Sequence, residues 1–240
     1  MHNAITLIPV AGIGEVGVGD SLHDAVLTGL QALPEDQRLR DGDVLVVTQK
    51  IVSKAEGRIV AIDHHDPNAK KALVLSLSRR ILRERGELLI VETEHGFVCA
   101  NAGVDLSNVD EGTAALLPKD PDKSAWRLKN GLARSCGVNV GVLISDTFGR
   151  AWRNGVCDVA IGGAGIKPIL DLRGTTDANG RTLEATEVCI VDELCAAAEL
   201  VMGKATGVPV AIIRGCPSSW FGDGSVVGDV VRAPEGDLFR

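Results

Sequence analysis

The sequence predicts an α/β or α+β fold built on a mixed sheet. Three observations carry that prediction. Stretches with helical periodicity mix with short apolar runs along the 240 residues. Residues 44–48, VLVVT, are continuous in branched apolar side chains, the pattern of a strand covered on both faces. Residues 177–180, DANG, end in Asn-Gly and mark a hairpin turn, which brings antiparallel pairing into the chain.

Residues 5–10, ITLIPV, form the first expected strand and run into the glycine-rich segment AGIGEVGVGD. Asp20 or Ser21 caps a helix over residues 22–33, with Leu22, Ala25, Val26, Leu30 and Leu33 on its apolar face and Pro34 at its end. Asp41-Gly42-Asp43 turns the chain into strand 44–48. Residues 49–60, QKIVSKAEGRIV, read as a polar turn with Lys50, Lys54 and Arg58. Residues 64–68 are a loop, and residues 69–85 a single helix striped by Leu73, Leu77 and Ile81 and stopped by Gly86. Residues 87–92 and 96–100 are strands, and residues 101–112, NAGVDLSNVDEG, are irregular. A helix follows over residues 121–136, with Ala125, Leu128, Leu132 and Cys136 inward and Gly137 as its stop. A buried strand over residues 138–144 delivers Asp146 and Thr147 into a short turn with Gly149, Arg150 and Arg153. Residues 192–206 are helical, residues 208–213 a strand, and residues 216–240 a loop. No internal repeat or long linker divides the chain.

Composition removes several function classes. A net charge of −7 argues against nonspecific nucleic-acid binding, and 3% aromatics without Tyr argue against a base-stacking platform. No apolar run approaches a membrane span and no signal segment opens the chain, which reads as cytoplasmic. The six cysteines form no C-x-x-C pair and read as reduced thiols.

Four stretches carry candidate chemistry. Asp146 and Thr147, where an apolar strand stops, supply hard oxygens suited to Mg²⁺ or Mn²⁺, and Arg150 and Arg153 suit anionic groups; a plain polar turn is the alternative. Gly12-x-Gly14-x-x-Gly17 fits a dinucleotide fingerprint poorly, because helical pattern begins only at Ser21 and strand 44–48 ends in Gln49-Lys50 rather than an acid. A loop whose N–H groups approach phosphate, or a plain turn, fits as well. No G-x-x-x-x-G-K-[ST] motif is present. The lysines of residues 49–58 are phosphate binders or solvated charges. Asp105 and Asn108 are turn formers or ligands. The histidines do not cluster, and no nucleophile system has a local signature.

Five blocks, LIPVAGIGEVG, DGDVLVVTQKIVSKAEGR, AGVDLSNVDEG, ISDTFGRAWRNGVCDVAIGGAG and ATGVPVAIIRG, are specific when taken in this order. They resemble the coenzyme F-420:L-glutamate ligase family, also called F-420-0:γ-glutamyl ligase, from Leu7 to Gly215. The resemblance implies a GTP-dependent ligase that adds L-glutamate by γ-glutamyl amide bonds to a deazaflavin phospholactate; an acyl-phosphate intermediate follows by analogy with other carboxylate–amine ligases. It places ligands to a divalent metal, Mg²⁺ or Mn²⁺, on Asp105, Asp146 and Thr147, with K⁺ as a further candidate cation. It places nucleotide contacts on Ile13, Gly14, Glu15, Val16, Gln49, Lys54 and Asn108. Some relatives carry Ser at the position of Gln49, so a short hydroxyl is replaced there. A two-lobed fold in an intertwined homodimer is expected, without the nitroreductase-like domain that follows the ligase in the longest bacterial relatives. Two other functions stay open: a dinucleotide-dependent oxidoreductase using the glycine loop, and a noncatalytic nucleotide- or metal-binding regulator.

Overall fold

The structure, a computed structural model, describes residues 4–238. β1 (Thr6–Pro9) is an edge strand that leads into the glycine-rich segment. α1 (Leu22–Gln31) is capped by Ser21, whose Oγ accepts from the Asp24 amide at 3.2 Å. Asp20, the other candidate, closes the preceding turn by accepting from the Gly17 amide at 2.7 Å.

β2 (Val44–Thr48) forms as predicted, with Val44, Leu45, Val46 and Val47 fully buried. Residues 49–60 are not a polar turn: they fold into α2 (Gln49–Ala55) and β3 (Ile59–Ala61). The polar residues one helical turn apart satisfy each other inside. Gln49 Nε2 donates to Ser53 Oγ at 2.6 Å, and both side chains donate to the Leu116 carbonyl.

The single helix expected over residues 69–85 is likewise two elements, α3 (Ala69–Ser76) and β4 (Ser78–Arg85). β4 pairs antiparallel with β5 (Leu88–Thr93), and β5 with β6 (Val98–Ala100). Gly86, at φ +60°, makes the hairpin turn rather than a helix stop. The override is tertiary. Leu89 and Val91 of β5 pack with Val74 and Ala102 in a small second core, and β4 satisfies the backbone of β5. The Asn101–Gly103 turn and β7 (Thr113–Ala115), which pairs with β3, bracket the irregular segment.

α4 (Pro121–Cys136) has the predicted bounds. Asp120 accepts from the Lys123 amide at 3.0 Å, Pro121 opens the first turn, and Gly137 closes the helix at φ +71°. Cys136 is exposed rather than inward, since the apolar stripe ends at Leu132. β8 (Gly141–Arg150) continues past its expected end because it pairs along its length with β9 (Arg153–Ala164). Asp146, Thr147, Gly149 and Arg150 are therefore strand residues, not turn residues. After β10 (Ile169–Asp171), the expected hairpin turn holds: the Gly180 amide donates to the Asp177 carbonyl at 3.0 Å. β11 (Glu187–Cys189) completes that ribbon. α5 (Ile190–Met202) ends at Gly203, φ +62°, short of residue 206, and β12 (Val210–Arg214) follows. Beyond it the chain makes short helical turns between irregular stretches; residues 239–240 of the expected loop lie outside the described ones.

The main sheet has the order β1-β12-β2-β8-β9, with β2 and β8 parallel and the other pairs antiparallel. It is the mixed sheet predicted. It also removes the dinucleotide fold, because antiparallel β12 separates β1 from β2 and α1 begins well past Gly17. α4 and α5 pack on β8 and β9. Gly162 permits the approach of α4: a Cβ there would lie 2.4 Å from the Pro121 carbonyl carbon. The cysteines are all free thiols; Cys99, Cys195 and Cys216 are buried. Among the described residues, no helix is long and apolar enough to cross a membrane.

Candidate active site

The parallel pair sets the site. Thr48 ends β2 opposite Ser145 of β8, and a cavity of about 760 Å³ opens there, where ligands sit in open α/β sheets. Three further segments wall it: the glycine-rich segment, the loop through Asp105 and Asn108, and residues 203–209 after α5. Every residue that the sequence resemblance assigned lines this one cavity: Ile13, Gly14, Glu15, Val16, Gln49, Lys54, Asp105, Asn108, Asp146 and Thr147.

Each wall is fixed by its own local physics. α2 turns Lys50 and Lys54 to the cavity while Gln49 and Ser53 stay buried. Lys54 pairs with Glu15 of the glycine-rich segment. Gln49 is 3% exposed and spends its amide hydrogens on Ser53 and Leu116, so it presents no free donor there. The loop of Asp105 is tied down by a β-bridge, with N–H and C=O of Asp105 bonded to Ala115 at 3.0 and 2.8 Å. Lys50 Nζ lies 2.8 Å from Asp105 Oδ2 and donates to Ser107 Oγ at 2.8 Å. Asn108 sits at φ +54°, a left-handed conformation that Asn tolerates.

On the sheet side, Asp146 Oδ1 accepts from the Thr147 amide at 2.8 Å. Burial pushes the Asp146 carboxyl up to about 7, and the charges of Asp158 and Asp105 add to it against that amide. Burial also presses on Asp105, but hydrogen bonds from Lys50 and Ser107 outweigh it and hold the carboxyl below the usual range. Opposite Thr147 in the hairpin is Asp158, only 2% exposed. It accepts from Thr147 Oγ1 at 2.7 Å and Ser145 Oγ at 3.1 Å. Lys204 Nζ donates to Asp158 Oδ1 at 2.6 Å and Thr147 Oγ1 at 2.5 Å, and lies 3.1 Å from Glu199 Oε1.

Among the described residues, no three His, Cys, Asp or Glu side chains stand close enough to hold a metal ion by themselves. The chemistry of the set Asp105, Asp146 and Thr147 nevertheless fits a hard divalent cation, which takes oxygen ligands and completes its shell with water and phosphate oxygens. The structure itself puts cationic groups on two of these residues, Lys50 on Asp105 and Lys204 on Thr147.

Arg150 and Arg153 do not join the site. They lie exposed at the end of the β8–β9 hairpin, outside the cavity lining, and Arg150 Nη2 donates to the Asn154 carbonyl at 3.0 Å. Sequence reasoning missed Asp158 and Lys204. A lone acid inside the apolar run of β9 was a usable signal, since a buried carboxylate needs partners. Lys204, in the glycine-bounded segment after α5, gave none.

Residues 12–215 match the profile of the family described as F420-0:Gamma-glutamyl ligase. The chain is 43% identical to the coenzyme F420:L-glutamate ligase of Methanothermobacter thermautotrophicus, over 98% of this chain and 99% of that protein. It is 41% identical to the protein of that name from Methanocaldococcus jannaschii, over 84% and 86%. The one from Archaeoglobus fulgidus is 37% identical, over 98% and 96%. A profile match over most of the chain, with relatives this similar along nearly their full lengths, settles the classification: the chain belongs to the F420-0:Gamma-glutamyl ligase family.

Proposed function

We propose that this protein joins L-glutamate to the deazaflavin precursor of coenzyme F420 through a γ-glutamyl amide bond, using GTP and an acyl-phosphate intermediate. The observation that carries the reading is the convergence, on one cavity at the end of the β2–β8 pair, of every residue that the family resemblance assigns. The ligase names of the relatives support glutamate as one substrate and the F420 precursor as the other.

A free carboxylate does not yield an amide directly, because oxide is a poor leaving group. In the proposed sequence a carboxylate oxygen attacks the γ-phosphorus of GTP and GDP departs. The glutamate amine then attacks the acyl carbon and inorganic phosphate leaves. Phosphoryl transfer of this kind is mostly positioning and charge neutralisation. Lys54, whose side chain is 13% exposed, supplies a nearly fixed positive charge on the α2 wall once Glu15 yields to a phosphate oxygen. Ile13, Gly14, Glu15 and Val16 of the glycine-rich segment line the same space, and the backbone N–H groups of such a segment suit phosphate oxygens. Asp105, Asp146 and Thr147 would hold Mg²⁺ or Mn²⁺, which when bound neutralises the triphosphate and polarises the transferred phosphorus. Asp158 accepts the hydrogen bond that the Thr147 hydroxyl donates, which leaves the lone pairs of that oxygen for a cation.

A homodimer belongs to this reading. Trp152 is 88% exposed on the β8–β9 hairpin, a large apolar side chain that a second copy would cover. Light scattering of the purified protein tests it, and a monomer at micromolar concentration refutes it.

The deciding experiment is mass spectrometry of a reaction containing GTP, Mn²⁺, L-glutamate and the deazaflavin phospholactate. The expected result is a product heavier by one or more glutamyl residues, with GDP formed only when both acceptor and glutamate are present. GTP consumption without a glutamylated product would refute the reading, and no consumption at all would refute it in favour of a noncatalytic regulator.

A further inference from the structure

The Thr147 hydroxyl, assigned above to a metal, already carries a cationic partner. Its Oγ1 donates to Asp158 Oδ1 at 2.7 Å and accepts from Lys204 Nζ at 2.5 Å. The same ammonium lies 2.6 Å from Asp158 Oδ1 and 3.1 Å from Glu199 Oε1. An ammonium and a divalent ion cannot share this oxygen: both seek its lone pairs, and their charges repel at contact distance.

The two sides of this contact differ in freedom. Asp158 is fixed, 2% exposed in the β9 ladder and tied to Ser145 and Thr147. Lys204 is 52% exposed, at the start of a segment bounded by Gly203 at φ +62° and Gly207 at φ +71°. Its ammonium can leave Thr147 by rotating its own side chain, and it already lines the cavity that the triphosphate is proposed to fill.

We infer that Lys204 is a placeholder cation, holding the Thr147–Asp158 pair until a divalent ion takes Thr147 Oγ1 and triphosphate oxygens take the displaced ammonium. The inference rests on the ligase reading of the same cavity and adds a positioning residue to it. Its consequence is linkage. A divalent ion alone must displace the ammonium from Thr147 Oγ1 and the adjoining Asp158 Oδ1, leaving it only Glu199 Oε1 of its three oxygen partners. A triphosphate alone draws the ammonium away and leaves Asp158 and Asp146 unneutralised. Together each supplies what the other removes, so the two bind cooperatively.

The test uses the full-length, chelator-treated protein and Mn²⁺, with free Mn²⁺ read by electron paramagnetic resonance, with and without a non-hydrolysable GTP analogue. Without nucleotide, Lys204→Met should bind Mn²⁺ roughly ten-fold more tightly than the unmodified protein, the size of a usual coupling between sites. The gain in Mn²⁺ affinity on adding the analogue should shrink from roughly ten-fold to within about two-fold. Lys204→Gln must change in the same direction, and Lys204→Arg, which keeps the charge, must stay near the unmodified protein. Thermal melting of each variant controls for folding. Equal or weaker Mn²⁺ binding by Lys204→Met and Lys204→Gln overturns the placeholder role alone. Absence of Mn²⁺ binding by every protein, analogue present, overturns the metal assignment of the ligase reading and this inference with it.

Discussion

Asp146 and Asp105 face the same cavity from opposite kinds of structure. Asp146 stands on β8, paired with β2 on one side and β9 on the other, above a strand whose Val142, Leu143 and Ile144 are essentially inaccessible. Asp105 stands on a loop that follows a turn with Asn101 and Ala102 at φ +50° and +53° and is pinned by one bridge to Ala115. Burial drives the Asp146 carboxyl toward its neutral form, while Lys50 keeps Asp105 charged. The difference teaches how the labour is divided. The sheet fixes a carboxylate's position and makes its charge costly; the loop supplies a carboxylate already charged and held by an ammonium, which the proposed metal would have to replace.

The strongest way to break this comparison is to remove each carboxylate in turn. Asp146→Ala should lower turnover by at least about 10³-fold, since the neighbouring sheet carboxylate, Asp158, is already committed to Ser145, Thr147 and Lys204. Asp105→Ala should cost about 10²-fold, because a loop can readmit water to a metal's open position. Steady-state rates with saturating Mn²⁺ and GTP measure both. Equal losses would mean that sheet and loop contribute alike.

The next test reads the charge penalty as stability. The Asp146 carboxyl is raised from 3.8 in the free residue to about 7 in the fold. Between those values the folded chain binds a proton that the unfolded chain has lost, so this group destabilises progressively as pH rises from about 4 to 7 and fully above 7. In chelator-treated protein, Asp146→Asn should therefore be more stable than the unmodified chain at pH 8 by about 1–3 kcal/mol, with the gap closing toward pH 4. Denaturant melts at both pH values measure it. A gap independent of pH would place the carboxylate in a wetter site than the sheet provides.

Lys54 probes the wall between the two regions. Lys54→Ala should weaken GDP binding roughly ten-fold if the ammonium meets phosphate, as charge-assisted contacts of this kind do. An unchanged dissociation constant would leave Lys54 as no more than the partner of Glu15.

The same division explains what the sequence made legible. β2 was readable because consecutive branched apolar residues announce a strand covered on both faces, and α4 because Ala125, Leu128 and Leu132 keep a helical spacing and Gly137 marks its end. Residues 78–85 were not readable: Leu73, Leu77 and Ile81 keep a helical spacing, yet Ile81 is 44% exposed, and pairing with β5 decides the outcome. α2 was hidden because Gln49 and Ser53 look like turn residues until each is seen to satisfy the other. The assigned site residues were legible as blocks of family resemblance, whereas Lys204 was not, because its meaning lies in a contact with Thr147 across 57 positions of chain.

Asn108 gives the finest test of the loop side. Its φ of +54° means that its side chain and its backbone shape are separable. Asn108→Gly keeps the left-handed turn at no steric penalty, whereas Asn108→Ala imposes about 1–2 kcal/mol of backbone strain on top of losing the amide. If the amide contacts nucleotide, Asn108→Gly should weaken GDP binding by about three-fold and Asn108→Ala by more, about one net hydrogen bond apart from the added strain. Calorimetric titration of GDP into each variant measures the difference. A Gly variant that binds like the unmodified protein, beside a weakened Ala variant, would show that Asn108 serves only to bend the loop that presents Asp105, and the loop's share of the site would then be a single carboxylate.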